Sequence, residues 1–226
     1  MTRSNGLKTG RDARIYNFSR ENLARNVQTT IDYYNSHDPT DFDPTKITWD
    51  DSARQNKNRG LEIEFDGSKV VEACYRPFCN TNLYYERILI QRRYQMSKIF
   101  PTGREDNLLI CVSGLGGEKE LSTIIKNKII DLNALHSGTQ CYPLYYYDRT
   151  AQGSLFVENL ERRDGISDYI LNEARKVVGT RDKGLGTSKN DKLVPSPQSL
   201  VPTKEDIFYY VYGFLHLRSY REKFSA

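Results

Sequence analysis

The chain has little cysteine, histidine or tryptophan: four, three and one among 226 residues. Cys74, Cys79, Cys111 and Cys141 are too few to staple a chain of this length. They form no CxxC pair, and no histidine stands at ligand spacing from them. A disulfide scaffold and a zinc ribbon are therefore excluded, and reduced, buried thiols are expected. Long hydrophobic runs are missing too. No apolar stretch approaches the roughly 18 residues that span a bilayer, and Met1–Gly10 is polar, without a signal-peptide core. This excludes membrane spans and Sec export and points to the cytoplasm. Charge of one sign is also lacking. Lys and Arg number 33 against 29 Asp and Glu, a net +4, which excludes a general polyanion sponge.

Catalytic signatures are equally scarce. No glycine loop ends in Gly-Lys-Ser/Thr, which a phosphate-cradling ATPase needs, and no serine sits in a G-x-S-x-G elbow. The strand-to-helix glycines Ser113-Gly114-Leu115-Gly116-Gly117 are not GxGxxG, and Glu118 and Glu120 behind them would repel an anion. A tight turn accounts for them, with a lone phosphate-backbone contact as the alternative. Glu62 and Glu64 share one face of an alternating stretch. A metal-dependent nuclease would need such carboxylates, but a solvated strand face explains them as well. His37, His136 and His216 have no partners at ligand spacing. No metal or cofactor is implied, and the chain is expected not to be an enzyme on its own.

What the sequence does have is tyrosine, 16 against 9 phenylalanines. Flat apolar rings with a polar tip suit a core and a wet recognition surface alike. Along the chain, residues 1–15 lack periodicity and read as frayed. Ser19 reads as an N-cap, followed by Leu23, Val27, Ile31 and Tyr34 at helical spacing up to His37-Asp38-Pro39. From Ile47 to Val157 the texture is strand-like, in Leu61–Phe65, Leu83–Ile90, Leu108–Ser113 and Cys141–Tyr147. Between these, Glu118–Leu135 reads as a helix or broken helix with Leu121, Ile124, Ile125 and Ile129 on one side. Ser167 caps a further helix with Ile170, Leu171, Ala174 and Val178 as its stripe. Residues 179–202 read as a long loop. Thr203-Lys204-Glu205-Asp206 is a capping box opening a final helix, with Ile207, Tyr210, Val211, Phe214 and Leu215 as its apolar face. The expected fold is α+β, a mainly β centre flanked by N- and C-terminal helices. A tail and helical linker (1–46) would precede the main domain (47–226).

One region has the composition of a binding surface. Arg87, Arg92, Arg93, Lys98 and Arg104 fall in a stretch without acidic residues, just after Tyr75-Arg76-Pro77-Phe78 and Asn80-Thr81-Asn82-Leu83-Tyr84-Tyr85. Arginine contacts phosphates or reads guanine, asparagine reads adenine, and tyrosine packs or stacks. Such a mixture serves sequence reading of duplex DNA; a solvated strand face would look similar.

These residues also resemble a known family. Tyr75-Arg76-Pro77-Phe78 with Leu83-Tyr84-Tyr85, then Phe100-Pro101, Ile110-Cys111-Val112-Ser113-Gly114 and Cys141-Tyr142-Pro143-Leu144-Tyr145-Tyr146-Tyr147, are similar to the C-terminal part of type ISP restriction-modification enzymes. So are Asp164-Gly165-Ile166-Ser167-Asp168 and the closing stretch with Asp206-Ile207-Phe208-Tyr209-Tyr210-Val211-Tyr212-Gly213 and Tyr220-Arg221-Glu222-Lys223. In that family one polypeptide joins a nuclease, a helicase-like ATPase, an adenine methyltransferase and a target recognition domain. The resemblance implies that this chain is the recognition domain, non-catalytic alone. Its partners would be double-stranded DNA and upstream methyltransferase and helicase–nuclease domains, which would supply much of the phosphate grip. The candidate DNA contacts are Arg76, Asn80, Asn82, Tyr84, Arg87, Arg92, Arg93, Lys98 and Lys119, with Lys126 and Arg149 as further phosphate contacts. Tyr84 and Tyr85 alternate on a strand, so one at most faces DNA. Arg76 has a rival role as an ion-pair or cation–π partner. The competing reading is a scaffold module that docks on the methyltransferase through the aromatic C-terminal helix and reads no bases.

Overall fold

A computed structural model of the chain describes residues 2–41, 43–114, 120–149, 160–182 and 201–224. It divides into two compact units, Thr2–Arg163 and Asp164–Ala226. In chain order the first carries β1 (Ser4–Asn5), α1 (Asp12–Ile15), β2 (Tyr16–Asn17), α2 (Arg20–Ser36), α3 (Asp51–Asn58), a 3-10 turn (Gly67–Lys69), β3 (Val70–Arg76), β4 (Cys79–Tyr84), α4 (Met96–Ile99), β5 (Leu109–Val112), β6 (Thr123–Lys126), β7 (Ile129–Ile130), β8 (Gln140–Pro143) and β9 (Tyr145–Arg149), with β10 (Leu160–Asp164) at its end. The second carries α5 (Asp168–Asp182), α6 (Lys204–Phe214) and α7 (Arg218–Phe224). The fold is mixed α+β.

Helix α2 forms where its residues require one. The Ser19 hydroxyl accepts from the Asn22 N–H at 3.2 Å, and Glu21 complements the positive end of the dipole. Leu23, Val27, Ile31 and Tyr34 recur on one buried face. They pack into a core with Val71, Ala73, Leu83 and Ile129 from the strands and Ile99 and Phe100 from α4 and its end. Two four-stranded sheets frame that core, ordered β1-β8-β5-β6 and β2-β4-β3-β7, with a β10-β9 ribbon beside them. All pairings in the first sheet are antiparallel. In the second, β3 pairs antiparallel with β4 and parallel with β7.

Residues 2–15 are not frayed. Ser4 and Asn5 pair with Cys141 and Gln140, Leu7 is buried, and the Arg11 guanidinium is held by Asp50 at 2.8 Å and by the Leu89 carbonyl at 2.6 Å. The boundary expected at 46/47 separates no compact units, because residues 2–46 belong with the sheets.

Four other expectations are corrected. Within the helix expected over 118–135, of which 118 and 119 lie outside the described residues, residues 123–130 are instead β6 and β7 joined by a turn, where the β-branched run Thr123-Ile124-Ile125 and Ile129-Ile130 pair with β5 and β3. Leu61–Phe65 pairs with no strand and buries only Ile63, and the strand expected over Leu83–Ile90 spans Cys79–Tyr84 instead. The stretch Cys141–Tyr147 is divided between β8 and β9.

In the second unit, Ile166, Leu171 and Ile207 form a small core with Ala174 against it. The capping box is present as read: the Thr203 hydroxyl accepts from the Asp206 N–H, and the Asp206 carboxylate accepts from the Thr203 N–H at 2.9 Å. The buried face of α6 differs from the expected one. Ile207 and Phe208 are buried, whereas Tyr210, Val211 and Phe214 are exposed. Helix α5 runs to Asp182, into the stretch read as a loop; residues 183–200 of that stretch lie outside the described residues.

Candidate nucleic-acid interface

The basic stretch folds into turns and a short helix, so its cations diverge. Arg93 and Lys98 line a groove of about 770 Å³, whose other wall carries Tyr147, Asp148 and Arg149 of β9 and Leu160 and Arg163 of β10. Four cations thus meet one carboxylate. Asp148 lies at its centre, 3.1 Å from the Lys98 ammonium and 3.9 Å from the Arg163 guanidinium. It holds the Lys98 ammonium over the groove, whereas the Arg163 guanidinium is closer to Glu161, at 3.0 Å. Arg162 stacks on the Tyr145 ring, 4.4 Å from its centroid.

Arg92 faces elsewhere. Its backbone exchanges two hydrogen bonds of 2.9 Å with Lys8. Residues directly opposed in such a bridge project to the same side, so Lys8 and Arg92 form a second, exposed cationic pair. Arg87 and Asn80 are exposed as well. Arg104 instead donates to the backbone carbonyls of Ser68 and Val70.

Three further candidates are held in contacts within the fold. Tyr84 is 0% exposed, stacked on Phe65, with its hydroxyl accepting from the Asp66 N–H at 3.0 Å. It is a core residue and not a DNA contact. The Asn82 amide donates to the carbonyls of Asn17 and Phe18 at 3.1 and 2.9 Å, which spends both of its donors on the β2 edge and removes it as an adenine reader. Arg76 pairs with Asp131 at 3.0 Å and lies 3.9 Å from the Tyr75 ring centroid, the rival role named for it above. Asp131 is almost fully buried. Loss of solvent raises its carboxyl to about 6, against the lowering effect of the Asn133 N–H and of Arg76. Lys119 lies outside the described residues. Glu62 and Glu64 line an acidic groove with Asp66 and Glu86; among the described residues no three His, Cys, Asp or Glu side chains are grouped to hold a metal ion.

The model of the Type ISP C-terminal specificity domain matches residues 1–226. The chain belongs to this family. Solved structures agree with the match. The specificity domain is similar to part of the ATP-dependent Type ISP restriction-modification enzyme LlaBIII bound to DNA, with 31% identity and a TM-score of 0.76 over 97% of this chain and 13% of that one. It is similar to part of DrdV in a DNA complex at 26% identity and a TM-score of 0.80, over 99% of this chain and 20% of that one. A nuclease-deletion mutant of LlaGI with a DNA substrate mimic matches at 26% identity and a TM-score of 0.72, over 99% and 19%. The chain therefore spans a fifth or less of the length of these enzymes. No curated protein matches. Among the described residues no helix is long and apolar enough to cross a membrane.

Two contributors to the groove and its neighbouring pair escaped the sequence reading. Lys8 was hidden in a stretch without periodicity. Arg163 was hidden in a short strand far along the chain, where the Arg162-Arg163 pair before Asp164-Gly165 was the available signal.

Proposed function

We propose that this specificity domain reads a target sequence in double-stranded DNA for a restriction-modification polypeptide and catalyses nothing itself. In this reading it works in the cytoplasm beside methyltransferase and helicase–nuclease domains. The observation that carries the reading is the groove of Arg93, Lys98, Arg149 and Arg163 in a chain that matches the family over its whole length. Cations from separate segments around one concave surface suit a phosphate backbone, and Asn80, Arg87, Arg92 and Lys8 are exposed on the same unit to extend the contact.

The test is selection of bound duplexes from a randomised pool, with binding of the enriched site then followed against salt. An enriched motif is the expected result. Combining Arg93→Ala, Lys98→Ala and Arg163→Ala is expected to flatten the slope of log K against log salt by about 3, close to one unit per lost phosphate contact. An unchanged slope in the folded variant would remove the groove from the interface.

A second role is supported in the Asp164–Ala226 unit. Tyr210 is 71% exposed, and Tyr209, Val211, Phe214 and Leu217 are exposed around it, more apolar surface than a solvated helix leaves uncovered. This helix is proposed to dock on the methyltransferase. Combining Tyr210→Ser with Phe214→Ser is expected to suppress concentration-dependent self-association of the isolated chain, as read by sedimentation. Unaltered association would count against the docking role.

A further inference from the structure

A second pocket, of about 480 Å³, lies between β1, the turn after Arg93 and the 132–140 turn, and it contains no charged residue. Asn5, Tyr94, Asn133, Ser137 and Gln140 line it, with Leu132 among them. Asn5 and Gln140 are directly opposed across the β1–β8 pairing. The side-chain amides of Asn5 and Asn133 have no hydrogen-bond partner among the described residues, and the Gln140 amide oxygen accepts from Tyr142 at 3.3 Å, leaving its N–H donors available. Three side-chain amides thus line one concave surface.

The frame around these side chains is held rigidly. The Thr139 N–H donates to the Leu132 carbonyl at 2.6 Å, its hydroxyl accepts from the Leu135 N–H at 2.9 Å, and the Gly6 N–H donates to the Thr139 carbonyl at 2.8 Å. The Asp131 carboxylate accepts from the Asn133 N–H at 2.9 Å. On the other wall the buried Ser4 hydroxyl accepts from the Gln95 N–H at 3.2 Å. Tyr94 (φ 49°) and Ser137 (φ 59°) are the two non-glycine residues with left-handed backbone among the described residues, and both line this pocket. Such conformations are strained and gather at ligand clamps and other functional sites. The exposed Lys8–Arg92 pair stands a few residues along the same two segments, placed to hold phosphates beside whatever occupies the pocket.

We infer that this pocket is a base-reading subsite that takes an adenine edge of the target duplex, with Asn133 and Asn5 as its readers. An amide matches the adjacent donor and acceptor that adenine presents in the major groove, whereas a carboxylate matches the amino group of cytosine. The inference rests on the DNA-reading function proposed above.

The test repeats the duplex selection with pocket variants of the full chain, their folding checked by the fluorescence of Trp49. Asn5→Ala combined with Asn133→Ala is expected to lower the preference for adenine about tenfold at one or more positions of the enriched motif. The salt slope should not change, since no phosphate contact is lost. Asn133→Asp should move the preference at its position toward cytosine. Gln140→Glu, on a different segment, provides an independent variant should either of the others misfold. A wild-type motif retained by folded pocket variants, while the Arg93, Lys98 and Arg163 triple variant still loses salt dependence, would overturn the subsite and leave the proposed function standing. Absence of any motif with the wild-type chain would overturn both.

Discussion

Gly6→Ala is expected to lower the stability of the Thr2–Arg163 unit by about 3 kcal/mol, read as the urea midpoint of Trp49 fluorescence. A β-carbon on Gly6 would stand 2.5 Å from the Asp131 carbonyl oxygen, 2.7 Å from its carbon and 2.8 Å from the Leu132 α-carbon. All three are backbone atoms of a turn that is hydrogen-bonded at both ends, so no side chain can swing aside. The same region forms a wall of the amide-lined pocket, and loss of target preference should accompany the loss of stability. Gly67→Ala is the control. Nothing lies within 4 Å of its added carbon, and its midpoint should stay within about 0.5 kcal/mol of wild type. A Gly6→Ala midpoint equal to that of the control would show that the turn does not clamp β1.

Arg76→Ala should cost about 2 kcal/mol near pH 8 and much less near pH 4. Asp131 titrates near 6 when folded, above the value of an exposed carboxyl. Between about pH 4 and 6 the folded chain therefore binds more protons than the unfolded one, and wild-type stability falls as pH rises through that window. Above 6 the buried carboxylate is charged and depends on Arg76, 3.0 Å away. Removing the guanidinium raises the folded-state pKa further, so the falling window extends upward and the gap between variant and wild type widens from pH 5 to 8. Near pH 4 the carboxyl is neutral in both folded forms, and only the packing of Arg76 on Tyr75 is lost. Asp131→Asn should flatten the wild-type slope between pH 4 and 6. A gap of constant size across pH would show that Arg76 acts through its packing on Tyr75 alone.

These two residues also show why the site was only partly legible. Arg76 stands in a Tyr-Arg-Pro-Phe run beside asparagines, a composition that suits DNA contact, yet its partner Asp131 is distant in sequence and no local pattern joins them. Tyr84 and Asn82 stand two residues apart on β4 and so share a face, but the partners that hold them, Phe65 and the β2 edge, are distant in sequence. Leu121, Ile124, Ile125 and Ile129 fit a helical stripe as well as they fit two short strands; pairing with β5 and β3 favoured the strands. Where the signal was local, it was sufficient. Ser19 with the Leu23–Tyr34 stripe defines α2, and Thr203 with Asp206 starts α6, because a cap and a 3.6-residue period lie within the element they describe. Arg93 and Lys98 were identified, whereas Arg163 reaches their groove through the β9–β10 ribbon.

The pairing of β1 with β8 also has a consequence in time. Ser4 and Asn5 are synthesised about 135 residues before Gln140 and Cys141, the residues they pair with. At translation rates of roughly 5–20 residues per second, β1 waits on the order of ten seconds for its partner strand. Asn5 therefore enters the pocket late in biogenesis, after the bulk of the Thr2–Arg163 unit has been made. A chain interrupted before residue 140 can already display Arg93 and Lys98 but lacks Gln140 and the β8 strand that positions Asn5. Arg149 and Arg163 of the cationic groove follow β8 in the chain, so the groove and the pocket are both completed only in the last part of the Thr2–Arg163 unit to be made.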